Sequence, residues 1–415
     1  MSESWIDAFE GGRTSGVYFL DMSAAFDIVD HSILLKKLEL YGFDQVSLDW
    51  FQSYLTDRSQ CVCINGSVST LLPVLSSVPQ GSILAPILYT LFTNELPEVV
   101  HNDTCSSPRI DSWPPFTLNC DSCGNICCFA NDTTYSTSGS NQENLSNQIS
   151  NSFRTISDFL SSNGLKLNED KTHLLTIPRK TGRNQINSLV LNTSYSKIQS
   201  SISEKLLGIL IHRNLKWADY IIYGEDSLTK SLSTRINALK IFSNVAPFKT
   251  RKMIAEGIFM SKLIYLIEVW GGCEKYLLKS LQVLQNRVAR LVIKRDRRTH
   301  VRELLQECGW LSVQQLAVYH TVALVHKTKL TGLPKSLSSM HSFDEESRMH
   351  TRLADLNFVK ARRGQVPHSQ IGRTGFRWMS IQWYNLLPIA IRIIEDSSEF
   401  KKQTKVWIKE NIPTA

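Results

Sequence analysis

The hydrophobic and polar positions in the first half of the chain alternate between strand-like runs and helical stretches. Residues 17–21 (VYFLD) form a run of β-branched and aromatic residues, which predicts a buried strand that ends in a carboxylate. Residues 126–130 (ICCFA) predict a second buried strand, and the polar NDTT that follows is typical of a turn. Further strands are predicted at 166–167, 173–177 and 206–211.

Helical spacing of the apolar residues fills the segments between these strands. It predicts two helices within 31–55 and a long helix over 143–163. The NG dipeptide at 65–66 predicts a β-hairpin, and residues 78–82 (VPQGS) open a further helix. From 227 to about 331 the spacing is helical throughout. This order predicts an α+β fold, an antiparallel sheet backed by helices, followed by an all-helical region.

Composition places the chain among folded proteins without a membrane span. Of its 415 residues 42% are hydrophobic and 20% are charged, so sizeable cores can form and intrinsic disorder is excluded. No run of 18 uncharged apolar residues occurs, because the best candidate, 258–270, contains Lys262 and Glu268. The first twelve residues are acidic and lack an apolar core, so we expect a nuclear or cytoplasmic protein and not a secreted one.

The net charge of +8 is concentrated in one helical segment. Residues 227–300 contain 15 Lys and Arg against 4 Asp and Glu, whereas the remainder of the chain is slightly acidic. Such an excess is typical of a polyanion-binding module, but a solvated helical surface would give the same count. Charge alone therefore leaves both interpretations open.

Acidic residues stand at the ends of two predicted strands. Asp21 ends the first strand, and Asn131 and Asp132 follow the second. If these strands are neighbours in one sheet, the side chains converge on a site for Mg²⁺, which prefers carboxylate and phosphate oxygens. Two such ions, about 3.5–4 Å apart, would stabilise an in-line phosphoryl displacement. The alternative is that these residues only cap turns.

Five segments occur in the order of motifs A to E of reverse transcriptases, at plausible spacing. They are LDMSAAFDIVDH (20–31), VPQGSILAPILYTLFTNELP (78–97), CFANDTTYS (128–136), GLKLNEDKT (164–172) and LLGILI (206–211). The chain resembles in particular the reverse transcriptases of jockey-like non-LTR (LINE-type) retrotransposons. Three later segments resemble that family's region after the polymerase core, at 265–271, 281–292 and 383–392.

The resemblance implies an α+β polymerase palm with partial fingers over 1–212, with an inserted loop at 98–125. A basic, helical thumb follows over 213–344, and a tail region of unknown function over 345–415. The implied activity is RNA-directed DNA polymerisation, in which a DNA primer on an RNA template is extended with dNTPs. The sequence does not predict an oligomeric state.

The resemblance also implies roles for the residues around the acidic site. Asp21 and Asp132 would hold two Mg²⁺ ions, assisted by the main-chain carbonyl of Met22. Phe26 would be the steric gate that leaves no room for a 2′-OH, although an ordinary core aromatic would fit the same position. Lys171 would neutralise or protonate the leaving pyrophosphate, or else be a solvated surface lysine.

Further positions would contact the nucleotide and the nucleic acid. Gln80 and Gly81 would lie beside the template–nucleotide pair, unless they form a plain turn before a helix. Leu207 and Gly208 would form the primer-grip turn. Contacts to the nucleic-acid backbone would come from Lys249, Arg251, Lys252, Arg287, Arg290, Lys294 and Arg295.

Motif C departs from the family pattern at one catalytic position. The family carries an aromatic residue, Ala and two Asp, whereas residues 129–132 here read FAND. Asn131 can offer an oxygen but contributes no charge. One unit charge at about 4 Å is worth about 4 kcal/mol at an effective dielectric constant near 20, and about 1.4 kcal/mol is a factor of ten in rate. We therefore expect catalysis to be impaired by about three orders of magnitude; the alternative is an inactive nucleic-acid-binding remnant.

The N-terminus also departs from the family pattern. Motif A begins only 20 residues into the chain, whereas family members carry a long fingers region, and usually an endonuclease domain, before it. We expect an N-terminally truncated copy of the element or an incomplete gene model.

Four cysteines with a Cys-x2-Cys core lie in or near the inserted loop, at Cys105, Cys120, Cys123 and Cys127. This spacing is compatible with a structural Zn²⁺ site. Because Cys127 belongs to the predicted strand before motif C, free reduced thiols are the default interpretation.

Overall fold

The computed structural model describes residues 2–104, 117–120, 124–179, 188–193, 197–296, 298–343, 359–360 and 367–414. The chain divides into two compact units. The first unit is Gly11–Glu204, and the second combines Ser2–Glu10 with Lys205–Ala415.

Up to residue 201 the helices and strands follow one another in this order: α1 (Ser2–Glu10), β1 (Thr14–Met22), α2 (His31–Leu40), α3 (Gln45–Leu55), β2 (Ser59–Gln60), β3 (Cys63–Ile64), β4 (Ser67–Val68), β5 (Leu72–Pro73), α4 (Ala85–Thr93), α5 (Leu96–Thr104), β6 (Thr117–Cys120), β7 (Gly124–Phe129), β8 (Asp132–Gly139), α6 (Gln142–Ser162), β9 (Leu167–Ile177), β10 (Val190–Asn192) and β11 (Lys197–Ser201).

The rest of the chain is mainly helical, with two π-helical turns, at Asp219–Tyr223 and Glu256–Met260. Its other elements are β12 (Ser203–Leu206), β13 (Ile209–His212), α7 (Leu228–Ser243), α8 (Phe248–Ala255), α9 (Ser261–Ile264), α10 (Ile267–Trp270), α11 (Lys275–Ile293), α12 (Val301–Cys308), α13 (Val313–Thr331), α14 (Lys335–Ser338), β14 (Ser342–Phe343), β15 (Val359–Lys360), α15 (Gln370–Thr374), α16 (Phe376–Leu386), α17 (Ile389–Arg392) and α18 (Ser397–Asn411).

A seven-stranded sheet forms the centre of the first unit, in the order β10-β11-β9-β1-β8-β7-β6. Its strands pair antiparallel except where β11 runs parallel to β9. The residues of β1 before Asp21 are buried, which explains why VYFL reads as a continuous apolar run. Tyr18 of β1 stacks on Tyr135 of β8 at 4.9 Å between ring centroids, and its hydroxyl donates to Ser152 Oγ of α6 at 3.1 Å. The predicted α+β fold with a helix-backed sheet is confirmed.

The predicted helices and hairpin of the first unit are present with clear local causes. Asp30 caps α2 by accepting from two main-chain N–H groups, and Asp44 caps α3 in the same way from Ser47. β3 and β4 form the hairpin around residues 65–66, where both residues have positive φ as the tight turn requires.

Several boundaries differ from the sequence prediction. The prediction of a loop over 98–125 is wrong where the structure describes it, because α5 continues to Thr104, β6 pairs with β7, and β7 begins at Gly124. Residues 105–116 and 121–123 lie outside the described residues. The two short strands expected at 166–167 and 173–177 are one strand, β9. Cross-strand pairing, which composition does not reveal, explains the differences at β6, β7 and β9.

Where the structure describes it, the second unit is helical apart from the β12–β13 hairpin and the two-residue β14–β15 pair. Buried amides join its helices: Gln285 of α11 donates to the Leu311 carbonyl at 2.8 Å, and Gln315 of α13 donates to the Ile412 carbonyl at 2.7 Å. The N-terminal helix α1 belongs to this unit, since Asp7 accepts a charged hydrogen bond from Arg377 at 2.8 Å. Among the described residues, no helix combines the length and apolar composition that crossing a membrane requires.

Candidate functional site

Two adjacent central strands bring Asp21 and Asp132 together where β1 ends and β8 begins. β1 and β8 pair antiparallel with Leu20 opposite Thr133, so the next residues outward are Asp21 and Asp132. Burial raises the pKa of Asp132, and the charge of Asp21 raises it further. About a quarter of the Asp21 side chain is exposed, so this carboxylate remains open to solvent.

A bulge in the sheet accompanies the position of Asp21. The pairing of β1 with β9 shifts register between Phe19 and Asp21, after which Asp21 lies opposite Asn168. A register shift of this kind bends the strand and changes the direction of the side chains beside it. The chain then leaves the sheet at Ser23, whose N–H donates to the Lys166 carbonyl at 2.9 Å.

Lys171 of β9 lies beside the acidic pair. Its Nζ is 3.5 Å from Oδ2 of Asp21, and about two thirds of its side chain is exposed. An exposed ion pair contributes little to stability. The contact mainly holds the Lys171 ammonium group beside the site. The structure therefore brings Asp21, Asp132 and Lys171 together.

Asn131 lies in the two-residue turn that joins β7 to β8. Phe129 pairs with Asp132 across the turn, which consists of Ala130 and Asn131 and not of NDTT as predicted. Ala130 has a left-handed backbone (φ 51°), which is uncommon for a residue other than glycine. Asn131 is half-buried and adjoins Asp132. Among the described residues, no group of three or more His, Cys, Asp or Glu is placed to hold a metal ion.

The aromatic residue Phe26 packs beside the loop that follows Asp21. Its half-buried ring lies 4.7 Å from the ring of Tyr89, between centroids, and the Tyr89 hydroxyl is 2.9 Å from the sulfur of Met22. Phe26 therefore has a packing role.

The segment that contains Gln80 and Gly81 is hydrogen-bonded to the same loop. Val78 N–H donates to the Phe26 carbonyl at 2.9 Å, and Gln80 Nε2 donates to Oδ1 of Asp27 at 2.7 Å. Gly81 has φ 82°, and no heavy atom lies within 4 Å of the place where its Cβ would be. This backbone is therefore open to close approach by a ligand.

The donor set suits a hard divalent cation. Two carboxylates and one amide oxygen are ligands of the kind that Mg²⁺ takes. Burial first, and repulsion from Asp21 second, raise the pKa of Asp132, and a nearby dication would relieve that repulsion. The residues present therefore fit the metal that the fold implies, although with one carboxylate fewer than the family pattern has.

Within the second unit, Leu207 and Gly208 form the two-residue turn of the β12–β13 hairpin. Both have positive φ (48° and 78°), and Tyr265 donates its hydroxyl hydrogen to the Leu207 carbonyl at 2.8 Å. An open cleft of about 500 Å³ lies at this turn, lined also by Arg235, Ser261 and Lys262. The Lys262 Nζ lies 5.6 Å from the centroid of the Tyr265 ring.

Sequence reasoning gave no role to Lys262 or Tyr265. Tyr265 opens the YLIEVWG segment that resembles the family, but nothing in that segment links it to a turn 58 residues earlier.

One of the predicted backbone-contacting cations is buried. Arg251 is 9% exposed, and its guanidinium donates to the carbonyls of Val292 at 2.8 Å and Ala246 at 2.6 Å. Because its guanidinium group is bound to the main chain, Arg251 does not belong to the residues proposed to contact the nucleic-acid backbone. Exposed positions are held by Lys249, Arg287, Lys294 and Arg295, whereas Lys252 and Arg290 are half-buried.

The proposed zinc ligands fall mostly outside the side chains that the structure describes. Cys105 and Cys123 lie outside the described residues, and for Cys120 the structure describes only the place in β6. Cys127 is half-buried in β7 as a free thiol, and burial raises its pKa. The zinc site stays a prediction.

Residues 6–211 match the family described as reverse transcriptase (RNA-dependent DNA polymerase). This range contains the strand ends at which Asp21 meets Asp132. Over these residues the chain therefore contains a reverse transcriptase domain. Enzymes of the family use divalent metal ions and bind a template and a primer.

Within this family, the relatives are RNA-directed DNA polymerases of mobile elements from Drosophila melanogaster. The chain is 25% identical over 300 residues to the probable RNA-directed DNA polymerase from transposon BS, a match that covers 70% of the chain and 30% of the relative. It is 24% identical over 287 residues to the RNA-directed DNA polymerase from mobile element jockey, covering 69% and 29%. The resemblance to jockey-like, non-LTR reverse transcriptases is thus confirmed, and the chain spans about three tenths of the length of these relatives.

A solved structure also aligns with the chain. It is the telomerase from Candida albicans in complex with a TWJ fragment of telomeric RNA, with a TM-score of 0.40 and 15% identity. The alignment covers 81% of this chain and 52% of the telomerase chain.

Proposed function

We propose that this chain binds an RNA template and a DNA primer and catalyses impaired, Mg²⁺-dependent transfer of deoxynucleotides to the primer 3′-OH. One observation carries the proposal: Asp21 and Asp132 meet at the ends of two central strands within a reverse transcriptase domain, beside an amide at Asn131. The remaining carboxylates retain the function, and the missing charge weakens it.

Asp21 and Asp132 would hold two Mg²⁺ ions, with the main-chain carbonyl of Met22 as a further ligand. When bound, such ions stabilise the charge on the attacking and leaving oxygens of the phosphoryl group. Asn131 offers an oxygen without charge, so the chain holds the dications less strongly than a three-carboxylate site would.

The neighbouring side chains orient the nucleotide and receive its charge. Lys171, held 3.5 Å from Asp21, supplies a positive charge or a proton to the leaving pyrophosphate. Phe26 lies under the sugar and excludes a 2′-OH. Gln80 and the open backbone at Gly81 lie against the base pair that the nucleotide forms with the template.

The second unit binds the primer–template duplex through its phosphates. The turn at Leu207 and Gly208 positions the primer end, and the cleft beside it offers Arg235 and Lys262 to nearby phosphates. Further backbone contacts come from Lys249, Lys252, Arg287, Arg290, Lys294 and Arg295.

We place this activity in the nucleus or cytoplasm. The six cysteines whose side chains are described are free thiols, which is the usual state of cysteines in those compartments.

A test separates binding from turnover. The purified chain and an Asp21→Asn variant are given a labelled primer on an RNA template, with dNTPs and Mg²⁺. Both should bind the duplex with an affinity that falls steeply with salt, because binding is mainly to phosphates. Incorporation should be slow in the wild type and lost in the variant. Equal incorporation by both proteins would contradict the proposed site.

A second candidate function, a nucleic-acid-binding remnant without turnover, is favoured by Asn131 alone. It predicts the same salt-dependent binding but no incorporation by the wild type under any Mg²⁺ concentration. A single-turnover assay with excess enzyme, followed over hours, decides between the two because it detects extension that is slower by several orders of magnitude.

A further inference from the structure

The C-terminal helix α18 is held in the second unit by one buried stripe. Phe400, Thr404 and Ile408 recur every four residues and are buried. The ring of Phe400 stacks on His326 of α13, with 3.6 Å between centroids and 2° between planes. The helix is therefore packed firmly through this side.

A row of lysines runs beside this stripe. Lys401, Lys405 and Lys409 each follow directly after a buried residue, so they line up at four-residue spacing on the adjoining surface, and all three are exposed. Like charges at this spacing destabilise a helix. Among the described residues, no carboxylate lies within ion-pair distance of these three; the ion pair on α18 joins Lys402 to Glu399 at 3.7 Å.

The charges that act on Lys405 are mostly positive. Burial first, and then the charges of Lys409 and Lys252, lower its pKa, whereas the charge of Glu256 raises it. Glu256 lies 3.7 Å from Lys252 and also accepts a hydrogen bond from Trp310 at 2.9 Å. The row itself therefore keeps its positive charge.

We propose that the lysine row of α18 binds the sugar–phosphate backbone of the nucleic acid. The inference rests on the proposed function, since it extends the duplex-binding surface of the basic helices to a C-terminal region that has no assigned role. Lys401 and Lys409 are eight positions apart, which is about 12 Å along the helix axis. One strand presents a phosphate about every 3.4 Å along the duplex axis, so the row matches three to four phosphates.

The positive charge of the row requires a polyanion, and the packing of α18 favours nucleic acid over a lipid surface. A helix that lies on a membrane inserts its apolar stripe between the lipids. Here that stripe, Phe400 and Ile408 included, is already buried within the second unit. The phosphate backbone needs no apolar insertion, so charge alone is enough to bind it.

The test measures how duplex affinity depends on salt in the full chain. A row variant carries Lys401→Gln, Lys405→Gln and Lys409→Gln. A matched control carries Lys327→Gln, Lys335→Gln and Lys402→Gln, which removes three exposed charges, one of them on α18 outside the row. The slope of log K against log salt falls by about 0.9 for each lost phosphate contact. The row variant should therefore lower the slope by about two to three and the control by less than one.

One further variant and one further probe make the outcome decisive. Replacing the three row lysines by Arg should restore the wild-type slope, which a merely unfolded variant would not do. Equal slopes for the row variant and the control would overturn the inference while leaving the proposed function intact. A wild type that binds the duplex without salt dependence would overturn both. Row-dependent binding to phosphatidylserine vesicles that is tighter than binding to the duplex would assign the row to lipid and overturn the inference.

Discussion

Replacing Asn131 by Asp adds the one charge that the acidic site lacks. The side chain lies in the two-residue turn beside Asp132, whose pKa is already raised by burial and by Asp21. A unit charge about 4 Å from a cation is worth about 4 kcal/mol at an effective dielectric constant near 20. Since about 1.4 kcal/mol is a factor of ten in rate, Asn131→Asp should speed incorporation by about a thousandfold.

The assay is single-nucleotide extension of a labelled primer on RNA, at saturating Mg²⁺ and dNTP. Asn141→Asp is the matched control, because it makes the same chemical change at the N-cap of α6, where Asp serves equally well. The control should extend at the wild-type rate. Wild-type extension as fast as that of Asn131→Asp would refute the reasoning, because the charge would then have no effect on the rate.

Thermal stability offers a second measurement for the same change. Without metal, a third carboxylate repels the other two, so Asn131→Asp should unfold at a lower temperature than the wild type. Mg²⁺ should raise its melting temperature more than that of the wild type, because a ligand that binds the folded state stabilises it in proportion to its affinity. An equal Mg²⁺ effect on both proteins would show that the added carboxylate does not bind the ion.

Three other predictions concern the sugar, the primer and the fold. Phe26→Val should raise the use of ribonucleotides relative to deoxynucleotides by at least about tenfold in the Asn131→Asp background, and an unchanged ratio would make Phe26 a packing residue only. Tyr265→Phe removes the hydrogen bond to the Leu207 carbonyl, worth about 1 kcal/mol, so primer–template affinity should fall several-fold at an unchanged salt slope. Burial lowers the pKa of His326 and of His341 to about 4, so the unfolded chain takes up protons first as the pH falls below about 6.5. Stability should therefore decrease between pH 6.5 and 4, by on the order of 2 kcal/mol for each histidine, and level off below. Urea unfolding across this range tests that dependence, which should be shallower in His326→Gln.

The local patterns of this sequence determined most of its secondary structure and the identity of its domain. Apolar periodicity placed the strand at 17–21 and the helices within 31–55, because side-chain burial repeats with the geometry of each element. The order of five short motifs was enough to identify a reverse transcriptase domain. The sequence alone also shows the substitution at Asn131, since it concerns one residue type at one motif position.

Tertiary structure alone decided which side chains meet. The bulge beside Asp21, the pairing of Lys171 with Asp21 and the hydrogen bond from Tyr265 to Leu207 each join residues far apart in the sequence. Arg251 looks like its basic neighbours in the sequence, yet it is buried and bound to two carbonyls, whereas Lys405 and Lys409 of the tail are exposed on one side of α18. Periodicity and composition report only whether a residue suits a buried or an exposed position. Its partner depends on how distant segments pack, and that packing sets the charge and the reach of each group.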